Sequence, residues 1–229
     1  MSKMKAGKEW LSISDMMSGL MMVFLFISVV FMQQVKTDKE AMVEIANTYA
    51  DTKSKLNGAL HGEFDKDLRK WGADILPDNT MRFKNPDVLF TRGSSVIRKN
   101  FQMILDDFFP RYLGILNDSR FKNDIIELRI EGHTSSIGAT AKSSVQSSYI
   151  YNAQLSQERA FSVLSYLFSQ PASKQYHDWL IKVFRANGLA FAKRVEVNGA
   201  EDFERSRRVE FRVVTNTEER IEQILVRGS

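Results

Sequence analysis

From residue 10 to residue 35 the chain reads WLSISDMMSGLMMVFLFISVVFMQQV, and Asp15 is the only ionisable side chain in that run. At about 1.5 Å per residue, a helix of this length exceeds the roughly 30 Å hydrocarbon core of a bilayer. The run therefore predicts one membrane-spanning helix with Asp15 near its N-terminal end. An isolated charge among lipid tails costs on the order of 3 kcal/mol, so such a carboxylate normally faces a protein partner or an ion path. The competing reading is an interfacial residue that interacts favourably with the positive end of the helix dipole.

The flanks orient the span. Lys3, Lys5 and Lys8 precede it, whereas Lys36, Asp38, Lys39 and Glu40 behind it nearly cancel, and the positive-inside bias then places residues 1–9 in the cytoplasm. No A-x-A cleavage pattern occurs before Gln33, so the span reads as a retained anchor rather than a signal peptide. The chain is expected in the inner membrane with a single pass and a periplasmic C-terminal domain. It has no cysteine, which suits an exported domain that needs no disulfide. The 32 basic and 28 acidic residues are dispersed and read as a solvated surface. A nucleic-acid reading through Arg205, Arg207 and Arg208 conflicts with the periplasmic placement, and no direct nucleic-acid partner is expected.

Residues 36–79 read as a connecting helix, with Met42, Ile45, Ala46, Tyr49 and Ala50 at helical spacing. Gly58 and Gly62 predict a break near 57–62, because each glycine costs about 1 kcal/mol in a helix interior; the segment is either a spacer or a regulatory plug. Residues 80–215 read as an α/β (α+β) domain, a sandwich of helices on a mixed sheet. The pattern predicts one or two strands over 81–90, then a helix over 95–116 that Pro110 could break, with Phe101, Ile104, Leu105, Phe108 and Phe109 in the core. A strand follows over 124–131 and a polar loop over 138–148. A helix over 151–169 is followed across Pro171 by another to about residue 187, and two closing strands fall at 193–198 and 209–214. Residues 216–229 form a tail, and its VRGS ending is assigned no function.

Catalysis has little support. His61, His133 and His177 lack metal-ligand spacing, and there is no cysteine to complete a zinc site. Ser135 lies near His133, but there is no nucleophile elbow and no evident third member. No glycine-rich phosphate loop is present. Neither an enzyme nor a bound metal or cofactor is expected.

Three segments carry a stronger signal: IEGHTSSIG at 130–138, YNAQLSQERAFSVLSYL at 151–167 and SRRVEFRV at 206–213. In that order they resemble the OmpA-like peptidoglycan-binding domain, with its strand ending in G-H-T-D, its helix N-x-x-L-S-x-x-R-A-x-x-V-x-x-x-L and its final N-R-R-V-E strand. The helix pattern is met at every specified position, through Asn152, Leu155, Ser156, Arg159, Ala160, Val163 and Leu167. The resemblance implies peptidoglycan as ligand, with Arg159 as anchor: a guanidinium offers a fork of donors to a carboxylate. Thr134 and Asn152 would hydrogen-bond wall-peptide amides, with Tyr151 and Leu155 as a platform. An arginine salt-bridged across the helix surface is the alternative for Arg159, and a core position the alternative for Leu155. This chain departs from the family pattern at Ser135, where the family has an aspartate that holds the ammonium end of diaminopimelate. Residues 139–148, a longer loop than usual in the family, are a second source for a replacement.

The membrane run resembles the single span of MotB-type stator subunits, in which the equivalent aspartate accepts and releases the transported proton. The wording SDMMSGLMMVFLF is most similar to the MotB-like subunits of Zorya anti-phage systems. That resemblance implies a dimer of this chain inside a pentameric MotA-like membrane subunit, ZorA, with protons moving past Asp15 while the C-terminal domains hold the wall. The apolar stripe Leu20, Val23, Phe24, Ile27 and Phe31 would pair the two copies. Ser14 and Ser18 offer oxygen ligands, which makes sodium the alternative ion. A flagellar stator and a passive membrane-to-wall tether are the rival functions.

Overall fold

A computed structural model describes residues 3–84, 86–138 and 144–216 of the chain. Helix α1, Lys3–Trp71, runs from the apolar N-terminal stretch into the domain without interruption. The predicted break at 57–62 does not occur. Leu56, Leu60 and Phe64 recur at intervals of four on α1 and are fully buried in the core, and burying each contributes about 1.5–3 kcal/mol. That outweighs the glycine penalties, since Gly58 and Gly62 sit on the open side of the helix with nothing near them. The end of the connecting helix is thereby part of the domain core.

Beyond α1 come β1 (Ala73–Ile75), β2 (Met81–Phe83), a short α2 (Pro86–Leu89), α3 (Lys99–Leu116), β3 (Ile125–His133) and α4 (Val145–Phe168). A 3-10 turn (Pro171–Tyr176) leads to α5 (His177–Val183) and β4 (Phe184–Gly188). The chain closes with β5 (Glu196–Val197), β6 (Ala200–Glu201), α6 (Phe203–Ser206) and β7 (Arg208–Thr215). The main sheet has the order β1-β2-β7-β3-β4. β3 and β4 are parallel, as the helical crossover between them requires, and the other pairs are antiparallel. The architecture is the expected helices on a mixed sheet. One sheet face carries Phe83, Leu128, Ile130 and Phe211 against Phe64 of α1 and Phe101 and Phe108 of α3, with Phe83, Phe108 and Phe211 meeting mutually edge-on at 5.2–5.7 Å.

Four local expectations are corrected. Helix α3 passes through Pro110 unbroken. The 81–90 run is a strand only to Phe83, after which α2 intervenes and Phe90 forms an isolated bridge with Ile97. The helix predicted to reach residue 187 ends at Val183, and Phe184–Gly188 is instead the edge strand β4. Residues 193–198 contribute no strand to the main sheet; Glu196–Val197 pairs only with Ala200–Glu201 in a separate two-stranded ribbon. Within the predicted loop at 138–148, residues 139–143 lie outside the described residues. Helix α4 already begins at Val145, capped by Ser144, whose hydroxyl accepts from the Ser147 N–H. Tyr151 and Asn152 therefore sit in its second turn rather than at its start.

Candidate wall-binding site

The close packing of α4 on the sheet sets the site. Gly132 of β3 and Gly188 of β4 lie opposite each other, and a Cβ on either would come within 2.3 Å of α4 backbone, at Ser156 O and Gln157 N. Only glycine lets the helix approach this closely. Side chains then fasten it: Gly188 N donates to Gln157 Oε1 at 2.7 Å, Gln157 Nε2 donates to Ala186 O at 3.1 Å and Ala190 N donates to Ser156 Oγ at 3.0 Å. The fourth turn of α4 is thus held beside the C-terminal end of β3, which leads into Thr134.

Thr134, Tyr151, Asn152, Leu155 and Arg159 all line one cavity of about 490 Å³, together with Ser135, Phe90, Arg92, Glu204 and Arg207. Arg159 is 7% exposed. Its Nε donates to Ser94 O at 2.9 Å and its guanidinium lies over the Phe90 ring, 5.0 Å from the centroid. Among the described residues it has no carboxylate partner, so the salt bridge considered for it is not present. Burial pushes its pKa down to about 10, Tyr151 opposes this and Arg207 adds to it. A desolvated cation left in this condition is a strong attractor for a ligand anion.

The neighbouring groups divide the work. Asn152 Nδ2 donates to Ile137 O and Ser148 O, both at 2.9 Å. Its amide hydrogens therefore fasten the chain after β3 to α4 and leave only Oδ1 for a ligand. The Thr134 hydroxyl is buried with no hydrogen-bond partner among the described residues. The Tyr151 hydroxyl would lie 3.6 Å from a Cβ at Gly93, a position in the left-handed region that glycine adopts freely. Leu155 is largely buried and lines the cavity.

The sheet face opposite Ile130 and Phe211 carries a charge ladder. His133 Nε2 lies 3.4 Å from Glu210 Oε2 and 3.6 Å from Glu131 Oε2, and all three side chains are buried. Burial pushes the Glu210 carboxyl up, but His133 and Arg208 more than reverse this and hold it below the ordinary range; Glu131 is also lowered on balance. The trio has donor atoms close enough to suggest a metal centre. Arg208 and Arg82 already bind Glu210 Oε1 at 2.6 and 2.7 Å, however, and Lys193 lies 3.8 Å from Glu131. These cations answer the carboxylates, so the donor set suits an ion-pair network rather than a divalent cation. His133 Nε2 faces these two carboxylates, and no hydrogen bond joins the ring to Ser135 among the described residues.

Phe90, Arg92, Glu204 and Arg207 were not selected as site residues from sequence. Phe90 and Arg92 come from the turn after α2, and Glu204 and Arg207 from the segment around α6. Of these, Arg207 alone carries a sequence signal, as the first arginine of the SRRVE motif. Arg207 pairs with Glu204, Arg205 with Asp202 and Arg208 with Glu210.

At the other end of the molecule, Ser14–Val43 is long and apolar enough to cross a membrane, and its most apolar part is not buried inside the protein. Asp15 is exposed on this stretch, with no hydrogen bond or ion pair among the described residues.

No family model matches the chain. Among solved structures it is similar to the cell wall anchor of the T6SS from Pseudomonas aeruginosa, with 21% identity, a TM-score of 0.47, and coverage of 68% of this chain and 96% of that one. It is also similar to a putative MotB like protein from Desulfovibrio vulgaris, with 17% identity, a TM-score of 0.49 and coverage of 76% and 99%. In sequence, it is 26% identical to Zorya protein ZorB of Escherichia coli O139:H28 strain E24377A over 89% of this chain and 79% of the relative. It is 42% identical to Zorya protein ZorB of Escherichia coli strain ATCC 8739 over 220 residues, which cover 95% of this chain and 92% of the relative. At that identity over nearly the full length of both proteins, the chain belongs to the Zorya ZorB family.

Proposed function

We propose that this chain is the wall-anchored subunit of an ion-driven stator in an anti-phage defence complex of the inner membrane. The observation that carries the reading is that one uninterrupted helix joins an exposed apolar span, bearing a lone carboxylate, to a domain whose cavity holds a buried guanidinium with no counter-ion. The span sits in the membrane once, with the N-terminus cytoplasmic and the domain periplasmic. The cavity takes a carboxylate of the peptidoglycan stem on Arg159, with Thr134, Tyr151, Asn152 and Leu155 around it.

Two copies pair through Leu20, Val23, Phe24, Ile27 and Phe31. At about 100° per residue, Asp15 lies roughly 140° from the centre of that stripe, so pairing turns it outward. There it meets the surrounding ring of MotA-like ZorA subunits, which completes a path that the chain alone does not have. A carboxyl group alternating between dry and wet surroundings takes up a proton from one side and releases it to the other; Asp15 is the group that does so here. Ser14 and Ser18 keep sodium as the alternative ion.

The test is Asp15→Asn in the assembled complex. An amide is nearly isosteric but exchanges no proton near neutral pH. Membrane insertion and assembly with the partner should persist, while ion flux and protection from phage disappear. Unchanged flux and protection would leave only a passive tether.

A further inference from the structure

The cavity is unbalanced in charge. Arg92, Arg159 and Arg207 line it, and Glu204 is the only carboxylate among its lining residues. Ser135 stands where an acid would normally answer a ligand ammonium. The longer loop cannot replace that acid, because residues 139–148 contain no Asp or Glu. We propose that Glu204 takes over this role and grips the ammonium of a zwitterionic amino-acid centre whose carboxylate lies on Arg159. The proposal rests on the wall-binding reading above and adds to it the residue that selects a free amine.

The arrangement supports this in three ways. First, the segment bearing Glu204 is fixed to the cavity wall: Glu201 Oε1 accepts the Ser136 N–H at 3.0 Å and its other oxygen accepts the Ser136 hydroxyl. That clamp lies one residue from Ser135, so the position that lost its acid and the segment that supplies one are held together. Second, Asp202 caps α6 by accepting from the Glu204 and Arg205 N–H groups at 3.1 and 3.0 Å, which sets the direction in which the Glu204 side chain leaves the backbone. Third, Glu204 is not consumed by its existing partner. It pairs with Arg207, but its side chain remains 65% exposed. A carboxylate has about four lone-pair sites, enough for a guanidinium and an ammonium together. Arg207 then steadies Glu204 and sits beside the ligand carboxylate, while Arg159 binds that carboxylate at the cavity floor.

The experiment uses the full chain in detergent and two synthetic stem tripeptides ending in diaminopimelate, one with the terminal amine free and one with it acetylated. Isothermal titration should show the free-amine peptide binding roughly 10- to 100-fold tighter, the range of one charge-assisted hydrogen bond. Glu204→Gln should remove that preference by weakening the free-amine peptide alone, and adding Ser135→Asp to Glu204→Gln should restore it. A preference that survives Glu204→Gln, or equal binding of both peptides to the unaltered chain, overturns the assignment of Glu204 while leaving the wall-binding reading in place. No binding of either peptide removes that reading and this proposal with it.

Discussion

Replacing Arg159 with methionine should make the protein more stable and unable to hold the wall. The cation is buried without an anion, and the drop of its pKa to about 10 corresponds to roughly 3 kcal/mol against the charged form, at about 1.4 kcal/mol per tenfold. Because the folded-state pKa is below the ordinary guanidinium value, this penalty is fully in force at every pH below about 10. Methionine removes it. The change also loses the hydrogen bond to Ser94 O, worth about 1 kcal/mol, although Ser94 is half-buried and water can satisfy its carbonyl. The contact with Phe90 is largely kept, because a thioether packs well against a ring. The balance is a gain of about 1–2 kcal/mol, or roughly 2–8 °C in Tm for a domain of this size. Thermal unfolding of the detergent-solubilised chain measures the first effect, and co-sedimentation with purified sacculi the second. A Tm that falls by several degrees would mean that Arg159 is a structural residue, and the argument from an unsatisfied cation would fail. Retained co-sedimentation would show that the anion site lies elsewhere.

Two further substitutions test the sheet that carries α4. Gly132→Ala places a Cβ 2.3 Å from Ser156 O, so α4 must retreat by about 1 Å; overpacking of this kind costs about 1–3 kcal/mol, and the urea midpoint should fall together with sacculus binding, whereas an unchanged midpoint would refute the close approach. Glu210 has a folded-state pKa below its ordinary 4.5, so its stabilising effect is present in full above about pH 4.5 and is lost as pH falls below that value. Glu210→Gln should therefore flatten the decline of Tm between pH 5 and pH 2. At neutral pH it should cost about 3–5 kcal/mol, because the Arg208 side chain is left buried without a carboxylate; a steep acid decline in the variant would place the effect on other groups.

What the sequence disclosed depended on whether the signal was local. Strand β3 was legible because DIIELRIE alternates with period two, and α4 because its apolar and polar positions repeat over six turns. The five cavity residues were legible because four of them share that helix and Thr134 directly follows β3. Strand β4 was not: FRANG is short, opens directly from α5 and derives its strand character from parallel pairing with β3 through Gly132 and Gly188. Val195 and Val197 alternate with charged neighbours as a strand should, yet the main sheet already has β4 at that edge. Glu204 and Arg207 were beyond local reasoning because they reach the cavity from about 45 residues away, brought there by the pairing of Arg208 with His133 and by the Ser136 to Glu201 clamp.

The path from membrane to wall has a mechanical consequence. Between Asp15 and Trp71 the chain is helical throughout, about 84 Å at 1.5 Å per residue, and its far end is fixed in the domain rather than hinged to it. Arg111 of α3 binds Glu63 at 2.7 Å, Asp67 at 2.9 Å and Asp107 at 3.2 Å, while its guanidinium lies over Phe64 and Trp71 at 4.9 and 5.7 Å. Burial alone would lower the Arg111 pKa, and the three carboxylates raise it instead, so the bracket stays charged and closed. Any single exposed ion pair would add little, but this network is continuous with the apolar contacts of Leu56, Leu60 and Phe64. A hinge at Gly58 or Gly62 would have to extract those side chains from the core, at several kcal/mol. On the stator reading, force generated around Asp15 therefore reaches the wall-binding cavity through one stiff element, and the roughly 20 Å of helix between Val43 and Leu56 sets the height of the domain above the membrane.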